Sequence, residues 1–193
     1  MPLSPRFQAA VQLTLELHRD QHRKGGELPY VTHLFAVMAL VGEAGGTENE
    51  QIAALLHDAV EDQGGAPTLA RLRAEFGDEV ADIVAACSDT DVVPKPPWEA
   101  RKRAYIEHLR TASRSVLLVS AADKLHNLRS TVFDARELGA EIFARFNGGH
   151  AGTLWYYRGL LAIFEERLGG PLVEELSEAL ARLETLTGPT PES

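Results

Sequence analysis

Ten residues constrain this chain more than any others: Ala53-Ala54-Leu55-Leu56-His57-Asp58-Ala59-Val60-Glu61-Asp62. An apolar helical run ends there in four polar groups. At helical spacing His57 and Glu61 share one face, and Asp58 and Asp62 share another. Ionisable groups placed directly behind a buried run lose several kcal/mol on leaving water if they stay unpaired. A bound cation removes that cost, because it turns repulsion among acids into ligation. The plain alternative is a helix C-terminus with solvated acids, but it sets negative charge against the helix dipole. The segment therefore reads as a site at the end of a buried helix.

The rest of the chain is helical in pattern almost throughout. Ser4-Pro5 is a cap and first-turn pair, and Phe7, Ala10, Val11, Thr14, Leu17 and His18 form one stripe behind it. The basic loop 21–27 ends that helix, and Pro29-Tyr30-Val31-Thr32 leads into a second over about 33–43. Thr47 and Glu50 form a capping box for the third. Thr68 opens a fourth helix closed by Gly77, and Asp78 opens a fifth through Cys87. Three prolines in 89–97 exclude regular structure there and predict a loop beside the site. A helix over about 98–109 follows, then a long one over about 115–130. In the latter, Val116-Leu117-Leu118-Val119 alone could be a strand, but Ala121, Ala122, Leu125 and Leu128 continue a buried helix. Gly148, Gly149 and Gly152 predict a turn before a helix over 153–168. Gly169-Gly170-Pro171 separates that helix from a last one over about 172–186. The fold expected is an all-α bundle of roughly eight to ten helices in one domain over 1–187, with a disordered tail over 188–193.

Composition narrows the function. The chain has 193 residues, 45% of them apolar, and a formal charge of −9, which argues against nucleic acid as a partner. No run approaches the roughly 20 apolar residues of a membrane span, and no apolar segment of a signal peptide follows Met1. Cys87 is the single cysteine, so no disulfide framework exists and a reducing cytoplasm is the expected setting.

His33, His57, Asp58 and Asp123 sit in otherwise apolar helical surroundings on three helices, which is how a bundle builds an inward-facing metal site. Two imidazoles and two carboxylates suit one first-row divalent ion, Mn²⁺ or Fe²⁺ rather than structural zinc. Open coordination positions would activate a water.

The order His33 … His57-Asp58 … Asp123 resembles that of the HD metal-dependent phosphohydrolases. Arg23-Lys24-Gly25, Pro29-Tyr30-Val31 before His33, the 53–62 stretch, Phe76-Gly77 with Val80-Ala81, and Asp123-Lys124-Leu125-His126-Asn127-Leu128-Arg129 are similar to the hydrolase domain of the RelA/SpoT-type alarmone enzymes. The likeness covers about residues 6–167, with no room for a synthetase domain, as in a stand-alone small alarmone hydrolase of the stringent response. It implies an HD-domain fold, Mn²⁺ as the metal, and removal of the 3′-diphosphate of ppGpp or pppGpp. It further implies that His33, His57, Asp58 and Asp123 are the ligands and that Glu61 and Asp62 position or deprotonate the attacking water. Arg23 would stack on the base, with Lys24, Asn127 and Ser130 contacting the substrate. Leu34 stands where the family often has Pro, and Ser120 where it often has Lys, a lost charge that bears on the substrate's phosphate pattern.

Other residues carry plainer expectations. His18 reads as a hydrogen-bonded core residue, Cys87 as a small buried hydrophobe, and His150 as exposed. Trp155, Tyr156 and Tyr157 read as core or interface. His126 has a chelating spacing from Asp123, but the resemblance gives it no ligand role. Lys95, Arg101, Lys102 and Arg103 form either a solvated face or extra phosphate contacts. Two other functions stay open: an HD enzyme for another nucleotide (ppApp, a nucleoside mono- or triphosphate) and a non-catalytic nucleotide-binding regulatory domain. Oligomeric state stays open as well, a homodimer included.

Overall fold

Helix starts follow from short-range chemistry. The computed structural model describes residues 4–24, 26–88 and 96–188. α1 (Pro5–Leu17) begins where the Ser4 hydroxyl accepts the Phe7 N–H at 3.0 Å and Pro5 occupies the first turn. α2 spans Val31–Glu43. α3 (Glu48–Leu56) starts on the predicted box: Glu50 N–H donates to Thr47 Oγ1 at 3.3 Å, and Thr47 N–H donates to Glu50 Oε2 at 2.7 Å. A one-turn α4 (Ala59–Asp62) follows. α5 (Ala66–Cys87) is broken at Gly77, whose φ of 82° only glycine adopts without strain, so the two predicted helices meet there. α6 covers Trp98–Leu109, α7 Arg114–Leu138, α8 Gly149–Arg167 and α9 Pro171–Thr187, with a 3-10 segment, Gly139–Arg145, between α7 and α8. Among the described residues the fold is all-helical, apart from one isolated bridge between His22 and Pro29.

α7 is the axis. Leu117, Leu118, Val119, Ala121, Ala122, Leu125 and Leu128 are buried around its circumference, as expected of a helix enclosed on all sides. α2, α3, α5, α8 and α9 pack against it. Each fully buried leucine contributes about 1.5–3 kcal/mol of transfer free energy. That burial fixes the rotation of α7 and hence the side on which Asp123 emerges.

Three expectations change. α7 runs eight residues beyond the predicted 130 and turns at Gly139, the positive-φ residue (54°) that the pattern before it concealed. Gly149 and Gly152 lie inside α8 rather than in a turn, and Gly152 with the capping Gly148 lies against Trp98 of α6. A Cβ on Gly148 would meet the Trp98 ring at 2.5 Å and one on Gly152 at 3.1 Å. His150 is half-buried instead of exposed, stacked on Phe143 with centroids 4.2 Å apart. Residues 189–193 of the tail expected over 188–193, and most of the proline-rich loop, Lys95 included, lie outside the described residues.

Candidate metal centre and adjoining cleft

His57 and Asp58 are neighbours in sequence, and on an ideal helix neighbours diverge by 100°. They converge here because the helix is interrupted at them. α3 ends at Leu56, and Asp58 takes φ −94° and ψ −4°, short of helical ψ, before α4 resumes. This joint brings His57 Nε2 within 3.1 Å of Asp58 Oδ2. From α2, His33 Nε2 lies 3.7 Å from the same oxygen and 3.2 Å from Asp123 Oδ1 on α7. His57 Nε2 lies 3.7 Å from Asp123 Oδ1. His33, His57 and Asp58 each offer one donor atom within 4.8 Å of the others.

The donor set fits a cation. His57 Nδ1 donates to the Ala54 carbonyl at 2.8 Å, which makes Nε2 the nitrogen that a cation would take in place of a proton. Both Nε2 atoms, on His33 and His57, are buried without a hydrogen-bond partner. Two orphaned imidazole nitrogens facing two carboxylates are satisfied together by one divalent ion.

Electrostatics agree. Burial holds His33 below the usual imidazole value against the pull of Asp123. Burial also opposes charge on His57, but Asp58 and Asp123 outweigh it and raise that imidazole well above its usual value. Against the same burial, His57 holds Asp58 low, and Lys124 with both histidines holds Asp123 well below the carboxylate range. Both acids are therefore ionised, and the proton on His57 stands where a cation's charge would act.

Around these four residues lies a ring of partners. Tyr30 OH donates to Asp58 Oδ2 at 2.6 Å. Lys124 Nζ pairs with Asp123 Oδ2, and Asn127 Nδ2 donates to Asp123 Oδ1 at 2.5 Å. Asp62 is exposed at the end of α4, where Gln21 Nε2 donates to its Oδ2 at 2.7 Å. Gln21 is itself fixed, since its Oε1 accepts from His18 Nδ1 and Gln63 Nε2, each at 2.7 Å. That matches the hydrogen-bonded core role expected of His18. Glu61, half-buried, lies one residue before Asp62 on the same turn.

Beside the centre opens a cleft of about 910 Å³, bordered at its inner end by Tyr30, Lys124, His126 and Asn127. Arg23, Lys24, Lys102, Lys124, Arg129 and Arg145 line it, with Asp134 as the one acid among the described residues, a local reversal of the chain's −9. Ser130 lines it too, its hydroxyl donating to the His126 carbonyl at 3.1 Å. Tyr156 and Tyr157 are buried as expected, and their edges also reach the cleft. Lys102, its ammonium 5.0 Å from the Tyr156 ring centre, lines the wall, while Arg103 pairs with Glu99 outside the lining. Arg103 thus stands on a solvated face, and Lys102 stands in the cleft wall. Cys87 is half-buried, and burial pushes its thiol up to about 12, which leaves it unreactive.

Gln21, Tyr30 and Lys124 are neighbours of the site that residue-type reasoning did not single out. Tyr30 carried a signal, since it stands three residues before His33 and so about one turn away. Ser120, where related enzymes often carry Lys, is buried and shares a 2.8 Å hydrogen bond with Tyr105 OH from α6.

A helical bundle whose central helices turn two histidines and two carboxylates toward one point has the arrangement of an HD domain. The HD domain family profile matches residues 10–153, and the chain belongs to that family. It is 37% identical over 123 residues to the guanosine-3′,5′-bis(diphosphate) 3′-pyrophosphohydrolase MESH1 of Xenopus tropicalis, a match covering 62% of this chain and 66% of that protein. It is 38% identical over 129 residues to a probable GTP pyrophosphokinase of Mycobacterium leprae, covering 65% of this chain and 16% of the other. The match therefore spans just under two thirds of the first relative and a small part of the second. A solved structure described as a metazoan ortholog of SpoT that hydrolyses ppGpp aligns with TM-score 0.78 and 28% identity, covering 94% of this chain and 97% of that one. A solved structure from Listeria monocytogenes EGD-e aligns with TM-score 0.69 and 34% identity, covering 82% and 98%.

Proposed function

We propose that this protein hydrolyses the 3′-diphosphate of (p)ppGpp-type alarmones, releasing pyrophosphate and GDP or GTP, with one Mn²⁺ held by His33, His57, Asp58 and Asp123. The observation that carries the reading is the pair of buried, unpartnered Nε2 atoms facing two ionised carboxylates beside a basic cleft. Mn²⁺ fits because the set mixes imidazole with hard oxygen donors and contains no thiolate. The relatives' printed activities support the substrate class.

When bound, the ion supplies Lewis-acid polarisation and a water of lowered pKa. The chain's own residues do the rest. Glu61 and Asp62 orient the attacking water and take its proton, with Gln21 holding Asp62 in place. Water oxygen forms a bond to phosphorus, the bond to the ribose 3′-oxygen breaks, and pyrophosphate leaves while the 3′-oxygen gains a proton. Arg23 stacks on the purine, Lys24 adds charge, and Asn127 and Ser130 contact the nucleotide at the inner end of the cleft. The continuous core supports treating residues 1–187 as one hydrolase unit. The single cysteine supports a cytoplasmic setting.

A second reading rests on Ser120 and Tyr105, a neutral pair where related enzymes often have a cation. It takes another nucleotide, ppApp or a nucleoside mono- or triphosphate, as substrate of the same centre. One assay decides: turnover of ppGpp, ppApp, dGTP and AMP with Mn²⁺. Preference for ppGpp supports the first reading, and preference for another nucleotide the second. No turnover by metal-loaded protein leaves a nucleotide-binding regulatory domain.

A further inference from the structure

His126 touches the centre from outside it. Its Nδ1 lies 2.7 Å from His33 Nδ1, with the ring centroids 4.8 Å apart. A hydrogen bond between two imidazole nitrogens needs one N–H and one lone pair. His33 Nε2 is the atom that faces Asp123 and Asp58, and ligation requires its lone pair there. The His33 proton is then on Nδ1, the hydrogen bond runs from His33 to His126, and the His126 proton is on Nε2. His126 therefore cannot chelate beside Asp123 despite the spacing, since one nitrogen is engaged by His33 and the other carries the proton. The same ring lines the cleft beside Arg23 and Asn127.

The contrast with His57 is instructive. There a backbone carbonyl fixes the tautomer, and no substitution removes it. For His33 the same task falls to a side chain.

Resting on the metal-site reading above, we infer that His126 is a two-ended positioning residue. Its Nδ1 lone pair fixes the tautomer and orientation of the His33 imidazole, and its Nε2–H offers a neutral hydrogen-bond donor to the nucleotide's phosphate oxygens in the cleft.

The two ends separate by substitution, because an asparagine amide reaches roughly where Nδ1 stands and a glutamine amide where Nε2 stands. The experiment titrates Mn²⁺ into full-length wild type, His126→Asn and His126→Gln, reading free Mn²⁺ by electron paramagnetic resonance. It then measures KM for ppGpp at saturating Mn²⁺. His126→Gln weakens Mn²⁺ binding about 10- to 100-fold and keeps KM near wild type. His126→Asn keeps Mn²⁺ affinity within about threefold and raises KM about 3- to 10-fold, as loss of one neutral hydrogen bond does. Melting temperatures of the metal-free variants confirm that both fold. Equal Mn²⁺ affinity in wild type and His126→Gln overturns the first end, and an unchanged KM in His126→Asn overturns the second. A wild-type chain that binds no Mn²⁺ overturns the metal-site reading itself, and the inference with it.

Discussion

Arg23 Nη2 donates to Asn127 Oδ1 at 2.7 Å, and the same Asn127 amide donates to Asp123 Oδ1 at 2.5 Å. One side chain thus joins the loop after α1, on the cleft wall, to the acid that faces both histidines. The Arg23 guanidinium also lies over the Tyr30 ring, 5.7 Å from its centre, so its plane is fixed before any nucleotide arrives.

Arg23→Ala raises KM for ppGpp about 5- to 30-fold with little change in kcat, because a stacking contact worth about 1–2 kcal/mol is equal in ground and transition states. Arg23→Lys recovers little, since an ammonium has neither a planar face nor the fork that reaches Asn127. Steady-state kinetics check both. Equal KM for Arg and Lys would show that the position supplies charge alone.

His57→Ala and Asp58→Ala each abolish stoichiometric metal binding, measured by elemental analysis after gel filtration. In the wild type, metal at 100 times its Kd adds about 2.7 kcal/mol of stability by mass action. Melting curves with and without Mn²⁺ read that gain, and it disappears in both variants.

Glu61→Gln retains the metal and loses on the order of 10²–10⁴ in turnover, the usual cost of a missing general base. A wild-type rate in this variant would move the role to Asp62.

Gln21→Met keeps the packing of the α1–α2 loop but removes the donor to Asp62 and the acceptor for His18 and Gln63. It lowers kcat while KM and Mn²⁺ affinity stay near wild type. Kinetics at saturating Mn²⁺ decide, and an unchanged kcat would leave Gln21 with a purely architectural role.

The metal-free protein has a pH dependence of definite sign. His57 is raised above its ordinary value near 6.5, so its folded form binds the proton more tightly than the unfolded chain does. The stability it contributes is fully present below about pH 6.5 and is lost as pH rises through the raised value. The melting temperature of chelator-treated protein therefore falls over that window, and the fall is absent in His57→Asn. Metal takes the proton's place, so Mn²⁺ binding tightens over the same window.

Much of this was legible in the sequence because local chemistry settles it. The Ser4 and Thr47 caps, the Gly77 break and the buried circumference of α7 are decided by residues within a turn or two of one another. So is the presence of His33, His57, Asp58 and Asp123 on inward faces. The joint at His57-Asp58 was not legible, because its bend depends on Tyr30 and Asp123 arriving from other helices. Gly152 read as part of a turn because Trp98, some fifty residues upstream, supplies the reason for it. Gln21 escaped notice because its partners His18 and Asp62 belong to different helices.

α4 has one further consequence. At four residues it is far below the roughly 12–15 that an isolated helix needs, Asp58 makes no capping hydrogen bond at its start, and Gly64 and Gly65 follow at positive φ. Beyond the burial of Ala59 and Val60 against the core, what fixes it is its ends: Asp58 on Tyr30 and His57, and Asp62 on Gln21. A single turn with so few fixed points opens more readily than the long helices around it, so the amide hydrogens of 61–63 exchange through local opening rather than global unfolding. An ion drawing on Asp58 tightens the first of those points. Order in the turn that carries Glu61 and Asp62 is then a property the protein acquires with its metal.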